Sequence, residues 1–216
     1  MPYNDAAKNV MLDALDESVT QITHVAVWTL TDPGTGTNAT GTEATGGSPA
    51  YARQAVTWGA ASTGTKTNSG SLTFDLPAGT YGFFCFFNAS TGNTSNFRGY
   101  APFGGGTKGF FSVDTTLTND QLLSVGHGLA DGDRVMLFNV FSEALPTGVS
   151  EGTVYFVVNS ATNTFKVSTT SGGAAVDITA VGGGEGFWQK VVPEVLASQG
   201  QITVAAGALA LDLNGM

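Results

Sequence analysis

The sequence predicts an all-β protein with one N-terminal helix: a β-sandwich-like host domain carrying a small inserted β-barrel or sandwich module. Three observations predict it. Short apolar runs with a period of two recur along the chain, separated by Gly, Pro, Asn and Ser turn signals. Only one stretch, near the N-terminus, has helical periodicity. Two glycine runs, Gly104-Gly105-Gly106 and Gly182-Gly183-Gly184, bracket a region of shorter strands, after which longer ones resume. The expected domains are 1–106 plus 191–216 for the host and 107–190 for the insert.

The helix is expected over residues 4–18. Asn4 or Asp5 caps it, and Ala7, Val10, Met11, Ala14 and Leu15 form an apolar stripe at i, i+3, i+4 spacing. Asp13, Asp16 and Glu17 lie towards its C-terminus, where the dipole disfavours anions, so its stripe is expected to hold it. Residues 20–30 read as a strand with Ile22, His24, Ala26, Trp28 and Leu30 on one face and Val25 and Val27 on the other. No catalytic grouping accompanies His24, which reads as a structural strand residue. Residues 31–49 are a Gly/Thr-rich loop, and Tyr51 to Ala61 a further strand.

Residues 69–88 are the densest source of core. Leu72, Phe74 and Leu76 alternate with Thr73 and Asp75, Pro77-Ala78-Gly79 makes a turn, and Tyr81 to Phe87 is almost continuously apolar. The two strands read as a hairpin. A strand apolar on both faces is covered on both sides or lies on a subunit contact. The pleat places Phe84 and Phe86 on one face and Phe83, Cys85 and Phe87 on the other. A single small domain is expected to cover only one of them, leaving Phe84 and Phe86 for a neighbouring subunit. Phe97 to Phe103 follows as a short strand ending at Pro102.

Within the insert, 122–125, 134–141, 154–159, 164–168 and 174–178 read as five short strands. After it, 191–196 and 201–213 are strands, the last alternating cleanly enough to complete the host domain. Tyr100, Phe103, Phe110, Phe111, Phe187 and Trp188 read as exposed aromatics gathered at the junctions. They either pack the junction or form an oligomer or partner contact, since aromatics are enriched in interface cores.

Composition narrows the function. Charged residues are 12% of the chain, about half the usual share of roughly 25%, so Thr, Ser, Asn and Gly must cover much of the surface. Thirty glycines, about twice the average abundance, sit at turns without a collagen period. A net charge of −9 with eight dispersed Lys and Arg argues against nucleic acid and against an anionic membrane surface. The single Cys85 reads as a buried small hydrophobe. No signal peptide is expected from the polar stretch Met1 to Asn9, so the chain is expected to be made and to fold in a cytosol. No stretch is long and apolar enough for a membrane-spanning helix.

No motif carries catalytic, cofactor or metal chemistry. Asp131-Gly132-Asp133 lacks the remaining oxygen ligands of a calcium loop and reads as a tight turn. The glycine runs are followed by neither Lys-Ser/Thr nor a helix, so they are not phosphate loops. No nucleophile elbow, zinc-helix motif or carboxylate pair is present. The chain is therefore expected not to be an enzyme and to use no cofactor.

Three stretches carry a resemblance: Tyr3 to Leu15, Gly46 to Ala61 and Gly70 to Thr80. Together they resemble small virion proteins of tailed bacteriophages, of the minor tail or tail fibre kind. In those proteins an alternating strand like Gln201-Ile202-Thr203-Val204 follows soon after the equivalent of Phe103, whereas here residues 104–190 intervene. The insert, through His127 to Val135, Val154 to Asn159, Asn163 to Val167 and Gly172 to Val176, is similar to a module recurring in phage structural proteins. The resemblance implies a virion structural protein, in the tail tip or tail fibre, acting in assembly and in host contact. Its implied partners are other virion proteins and itself, as a homo-oligomer. Two alternatives stand beside it. One is a host-surface glycan-binding module, with Trp188 as a stacking platform; the other is a capsid decoration or head-fibre protein.

Overall fold

The computed structural model describes residues 4–17, 21–104, 106–114, 116, 119–140 and 143–212. Among these residues one helix, α1 (Asp5–Glu17), precedes fifteen strands: β1 (His24–Thr29), β2 (Gln54–Ala55), β3 (Thr65–Thr67), β4 (Leu72–Leu76), β5 (Gly79–Phe87), β6 (Phe97–Pro102), β7 (Lys108–Val113), β8 (Leu122–Leu123), β9 (Arg134–Asn139), β10 (Val154–Val158), β11 (Thr164–Ser168), β12 (Glu185–Val191), β13 (Glu194–Leu196), β14 (Gly200–Val204) and β15 (Ala210–Asp212). The protein is all-β with one helix. It forms two compact units, the first of Met1–Thr29, Pro33–Ala101 and Val195–Met216, the second of Leu30–Asp32 and Pro102–Glu194. These limits fall a few residues from the boundaries expected at 106/107 and 190/191. Thr20, Gly105, Phe141 and Leu213, which the sequence reading placed in strands or a glycine run, lie outside the described residues.

The first unit is built on β5. It pairs antiparallel with β1, from His24↔Phe87 to Thr29↔Tyr81, and is flanked by β13 and β6. One face of this sheet carries Trp28, Phe83, Cys85 and Phe87, all fully buried. Trp28 stacks on Phe87 at 5.6 Å, Phe97 meets Phe87 at 5.5 Å, and Tyr100 meets Phe83 edge-on at 5.6 Å. The other face carries Val25, Val27, Phe84 and Phe86, with Phe74 of β4 at 6.0 Å from Phe84. Phe86 is buried and Phe84 half-buried. The expectation that one small domain covers only one face of β5 is thus corrected: side chains of this chain lie against both, with Phe84 left half-buried.

The reason is a second correction. β4 and β5 do not pair as a hairpin. β4 pairs instead with β14, from Gly200↔Leu76 to Val204↔Leu72, and β15 pairs with β3. The turn at Pro77-Ala78 therefore carries the chain from one sheet to another, which brings the apolar face of β4 over β5. The C-terminal strands complete this second layer.

The helix also differs from expectation. Asn4 Oδ1 accepts the Ala7 N–H at 2.9 Å, an N-cap. Much of its apolar stripe is turned to solvent, however: Val10 is 70% exposed, Met11 and Ala14 are exposed and Ala7 is half-buried, while the Leu15 side chain lies outside the described ones. Among the described side chains of the helix, Leu12 is the apolar one that is buried. Polar contacts dock the rest, with Asn9 Oδ1 accepting from Gly64 N–H at 2.8 Å and Asp13 Oδ1 accepting from Ala61 N–H at 2.9 Å and Lys66 Nζ at 2.6 Å. The strand expected over 51–61 is reduced to Gln54–Ala55.

The second unit is a closed six-stranded barrel in the order β10-β11-β8-β7-β12-β9. Its core holds Phe111, Leu122, Val135, Leu137, Tyr155, Val157, Phe165, Val167 and Trp188, among others. Four of the five strands expected in the insert are staves of this barrel. The fifth, 174–178, is irregular and packs Val176 and Ile178 against the core instead. β7 and β12, expected as junction segments, supply the two remaining staves.

Candidate interaction surface

Three neighbouring staves carry doubled apolar pairs: Phe110-Phe111 on β7, Leu122-Leu123 on β8 and Phe187-Trp188 on β12. Successive side chains of a strand point to opposite faces. A barrel has one interior, so each pair must place one member outside. Phe111, Leu122 and Trp188 take the inside, while Phe110, Leu123 and Phe187 take the outside. Because β12, β7 and β8 are adjacent, the outside members fall together.

The register aligns them further. Phe138 of β9 lies opposite Phe187, and Phe187 opposite Phe110. Phe138 and Phe187 stack with ring centroids 4.7 Å apart and planes 11° from parallel. Phe110 is 77% exposed and Val125, just beyond β8, 90% exposed. Large apolar side chains scattered singly need no explanation, but a row running across several strands, here with Phe138 and Phe187 half-buried beside Phe110, is a candidate contact surface.

Beside this row the barrel wall opens. Pairing of β7 with β8 stops at Ser112↔Leu123. Beyond it, Ser124 Oγ donates to the Phe110 carbonyl at 2.6 Å and accepts from Trp188 Nε1 at 3.0 Å. Ser124 is thus a wedge between diverging strands, and Trp188 closes the wall behind it. Gly109 makes room for the indole: a Cβ there would stand 2.7 Å from Trp188 Cζ2. The result is a groove of about 590 Å³ lined by Lys108, Phe110, Val125, His127 and Glu185, with Trp188 at its floor.

Ser124 and His127, two of its polar groups, are committed to bonds within the barrel. His127 Nδ1 accepts from Leu129 N–H at 2.9 Å, which puts the proton on Nε2, 3.3 Å from the Thr164 carbonyl. The ring packs on Phe165 at 5.2 Å. Asp131 and Asp133 belong to the turn that the sequence suggests. Asp131 Oδ1 accepts from Ser160 N–H, and Asp133 Oδ2 from Ala130 N–H and from Lys190 Nζ at 2.7 Å. Burial raises the Asp133 carboxyl, but the Lys190 and Ala130 bonds hold it below the usual carboxylate value on balance. Among the described residues no cluster of three or more His, Cys, Asp or Glu could hold a metal ion, and no helix is long and apolar enough to cross a membrane.

The eight candidate contact residues divide. Phe110 and Phe187 lie in the outer row. Phe111 and Trp188, read as exposed, are instead barrel core, and Trp188 at 2% exposure has no face to offer a sugar ring. Phe86 and Phe103 are buried, while Phe84 and Tyr100 are half-buried against aromatic neighbours of the first unit.

Sequence reasoning missed one assembly altogether. The buried Arg53 guanidinium spends its five N–H donors on the Glu43 carboxylate (2.8 Å from both Nε and Nη2), the carbonyls of Ala89 and Gly92, and Asn93 Oδ1. Its plane lies 3.6 Å from the Phe87 ring centroid. Tyr51 Oη donates to Glu43 Oε1 and accepts from Val27 N–H; burial, then the Glu43 charge, push its phenol well up. The cluster locks two long loops onto β1 and β5. Only the return of Glu43, Tyr51 and Arg53 within one polar stretch hinted at it. His24 bonds to Thr23 Oγ1, and burial, with the Arg53 charge second, lowers its pKa. Burial likewise pushes the Cys85 thiol well up.

Comparison with protein-family models, with curated proteins and with solved structures finds no match to this chain.

Proposed function

We propose that the chain is a structural protein of a tailed-bacteriophage particle, a tail-tip or tail-fibre component whose work is assembly. The observation that carries this reading is the outer aromatic row of the barrel, Phe138, Phe187 and Phe110, continued by Val125. The sequence resemblance supplies the kind of particle. Burying an exposed Phe in a contact contributes roughly 1.5–3 kcal/mol; Phe110 offers that in full, and the half-buried Phe138 and Phe187 add less. The low charge content and Gly/Thr-rich surface suit such packing.

The test is quantitative mass spectrometry of purified particles from a phage encoding this chain, with an antibody locating it by electron microscopy. A fixed copy number per particle, at the tail, supports the reading; absence from washed particles overturns it. A head location would favour a capsid decoration or head-fibre protein. The groove beside Phe110, with Lys108 and Glu185 on its rim, favours a second reading, a glycan-binding module with Phe110 rather than Trp188 as the stacking ring. A glycan array probed with the purified chain tests it.

A further inference from the structure

We propose that the groove of the barrel takes up an extended polypeptide segment of another protein as an added strand along β7. The backbone of β7 carries the case. Thr107 O accepts from Lys190 N–H at 2.8 Å and Val113 N–H donates to Gly184 O at 2.9 Å, so the odd-numbered residues turn their backbone groups towards β12. The even-numbered ones face the other way. Ser112 meets Leu123 there, and the Phe110 carbonyl takes the Ser124 hydroxyl. The N–H of Phe110 and both backbone groups of Lys108 face the groove with no partner among the described residues. Proteins commonly blunt such an edge with charge, proline or a covering loop. Here Lys108 is the one charge on it, and Phe110 and Val125, two of the most exposed large apolar side chains, flank it.

The occupant follows from that chemistry. A row of backbone donors and acceptors is matched by another backbone in extended conformation, with side-chain pockets supplying selectivity. Apolar residues at alternate positions of the guest would cover Phe110 and Val125. Lys108 is exposed and, unlike Lys66 or Lys190, has no carboxylate partner among the described residues. It calls for an acidic residue in the guest at the Lys108 end of the groove, since Glu185 lines the other end, opposite Ser112. A sugar could stack on Phe110 but would leave the β7 backbone unmatched. The inference concerns the barrel itself and holds whichever particle the chain serves.

Titration of the 15N-labelled full chain with a blocked peptide, Thr-Val-Thr-Val-Thr-Asp, tests it by amide shifts. Shifts confined to Lys108–Ser112 and Val125 are expected. The same peptide N-methylated at alternate amides should bind at least tenfold more weakly, because it cannot complete the ladder. Phe110→Ser should weaken binding tenfold, and Lys108→Glu should reverse the preference from an Asp-ended to a Lys-ended peptide. Equal binding of the N-methylated peptide, shifts elsewhere on the chain, or no shift at millimolar peptide overturns the proposal. So does a chito-oligosaccharide that moves these amides when the peptide does not. Should Phe110→Ser fail to fold, the two peptides on the wild-type chain still decide.

Discussion

The two units treat their aromatic residues in opposite ways. In the first, β5 carries four Phe in seven positions and side chains of the chain lie against both of its faces, Arg53 over Phe87 beside Trp28, Phe97 and Tyr100 of the same sheet, and Phe74 against Phe84 on the other. In the barrel, three neighbouring staves carry doubled apolar pairs, and half of each pair is left outside. Aromatic density alone therefore does not mark a contact surface. What differs is the cover: β4, crossing from sheet to sheet, supplies a second layer in the first unit, whereas Phe110, Leu123 and Val125 on the outside of the barrel are left exposed.

This contrast can be broken from either side. The largest effect is expected from Phe87→Ala. It opens a cavity in the first core and removes the ring under Arg53, at a cost of about 3–5 kcal/mol in a urea melt. Close behind comes Glu43→Ala, which leaves a buried guanidinium without its carboxylate and costs about 3–5 kcal/mol; loss of loop order should accompany it, read by proteolysis within residues 31–49 and 89–96. In the barrel, Gly109→Val drives a branched side chain into the Trp188 indole and should destabilise by about 1–3 kcal/mol, with a shift in tryptophan emission. Phe110→Ser, by contrast, should leave the melt within about 0.5 kcal/mol of wild type, because its side chain is already in water.

The smallest effect concerns the helix. The hydrogen bond from Lys66, then that from Ala61 N–H, hold the Asp13 carboxyl below its ordinary value. A depressed native pKa stabilises docking fully above the unfolded value, about 3.9, and the stabilisation is lost as pH falls through the native value below it. Acid should therefore release α1 from β3 before the sheets melt. Exchange of the Ala61 and Gly64 amides below pH 4, against an Asp13→Asn control without the transition, measures it.

Much of the fold was legible because period-two alternation is a direct consequence of strand geometry. Leu72, Phe74 and Leu76, the faces of β1 and β5, and four barrel staves follow from it. The pairing of β4 with β14 was not legible as such, since a short Pro-Gly turn looks the same whether its strands pair or part. Helical periodicity misled at α1: Lys66, 2% exposed at its side chain, needed a carboxylate more than the sheets needed Val10 and Met11. Of the candidate contact residues, the adjacent pairs Phe110-Phe111 and Phe187-Trp188 held the useful signal. Each pair in a stave has one member outside, but which one requires the register. Ser124 gave no hint, because its role depends on Trp188 sixty-four residues away.

The central proposal to test is that the outer row of the barrel, rather than β5, forms the contact with a neighbour in a particle. The most direct measurement compares wild type, a Phe110→Ser/Val125→Ser double variant and a Phe84→Ser variant for amount per purified particle, normalised to soluble folded chain. The account predicts that the double variant melts like wild type yet falls at least tenfold in particles, while Phe84→Ser loses stability and keeps its place in proportion to what folds. Full incorporation of the double variant, or selective exclusion of folded Phe84→Ser, would contradict it.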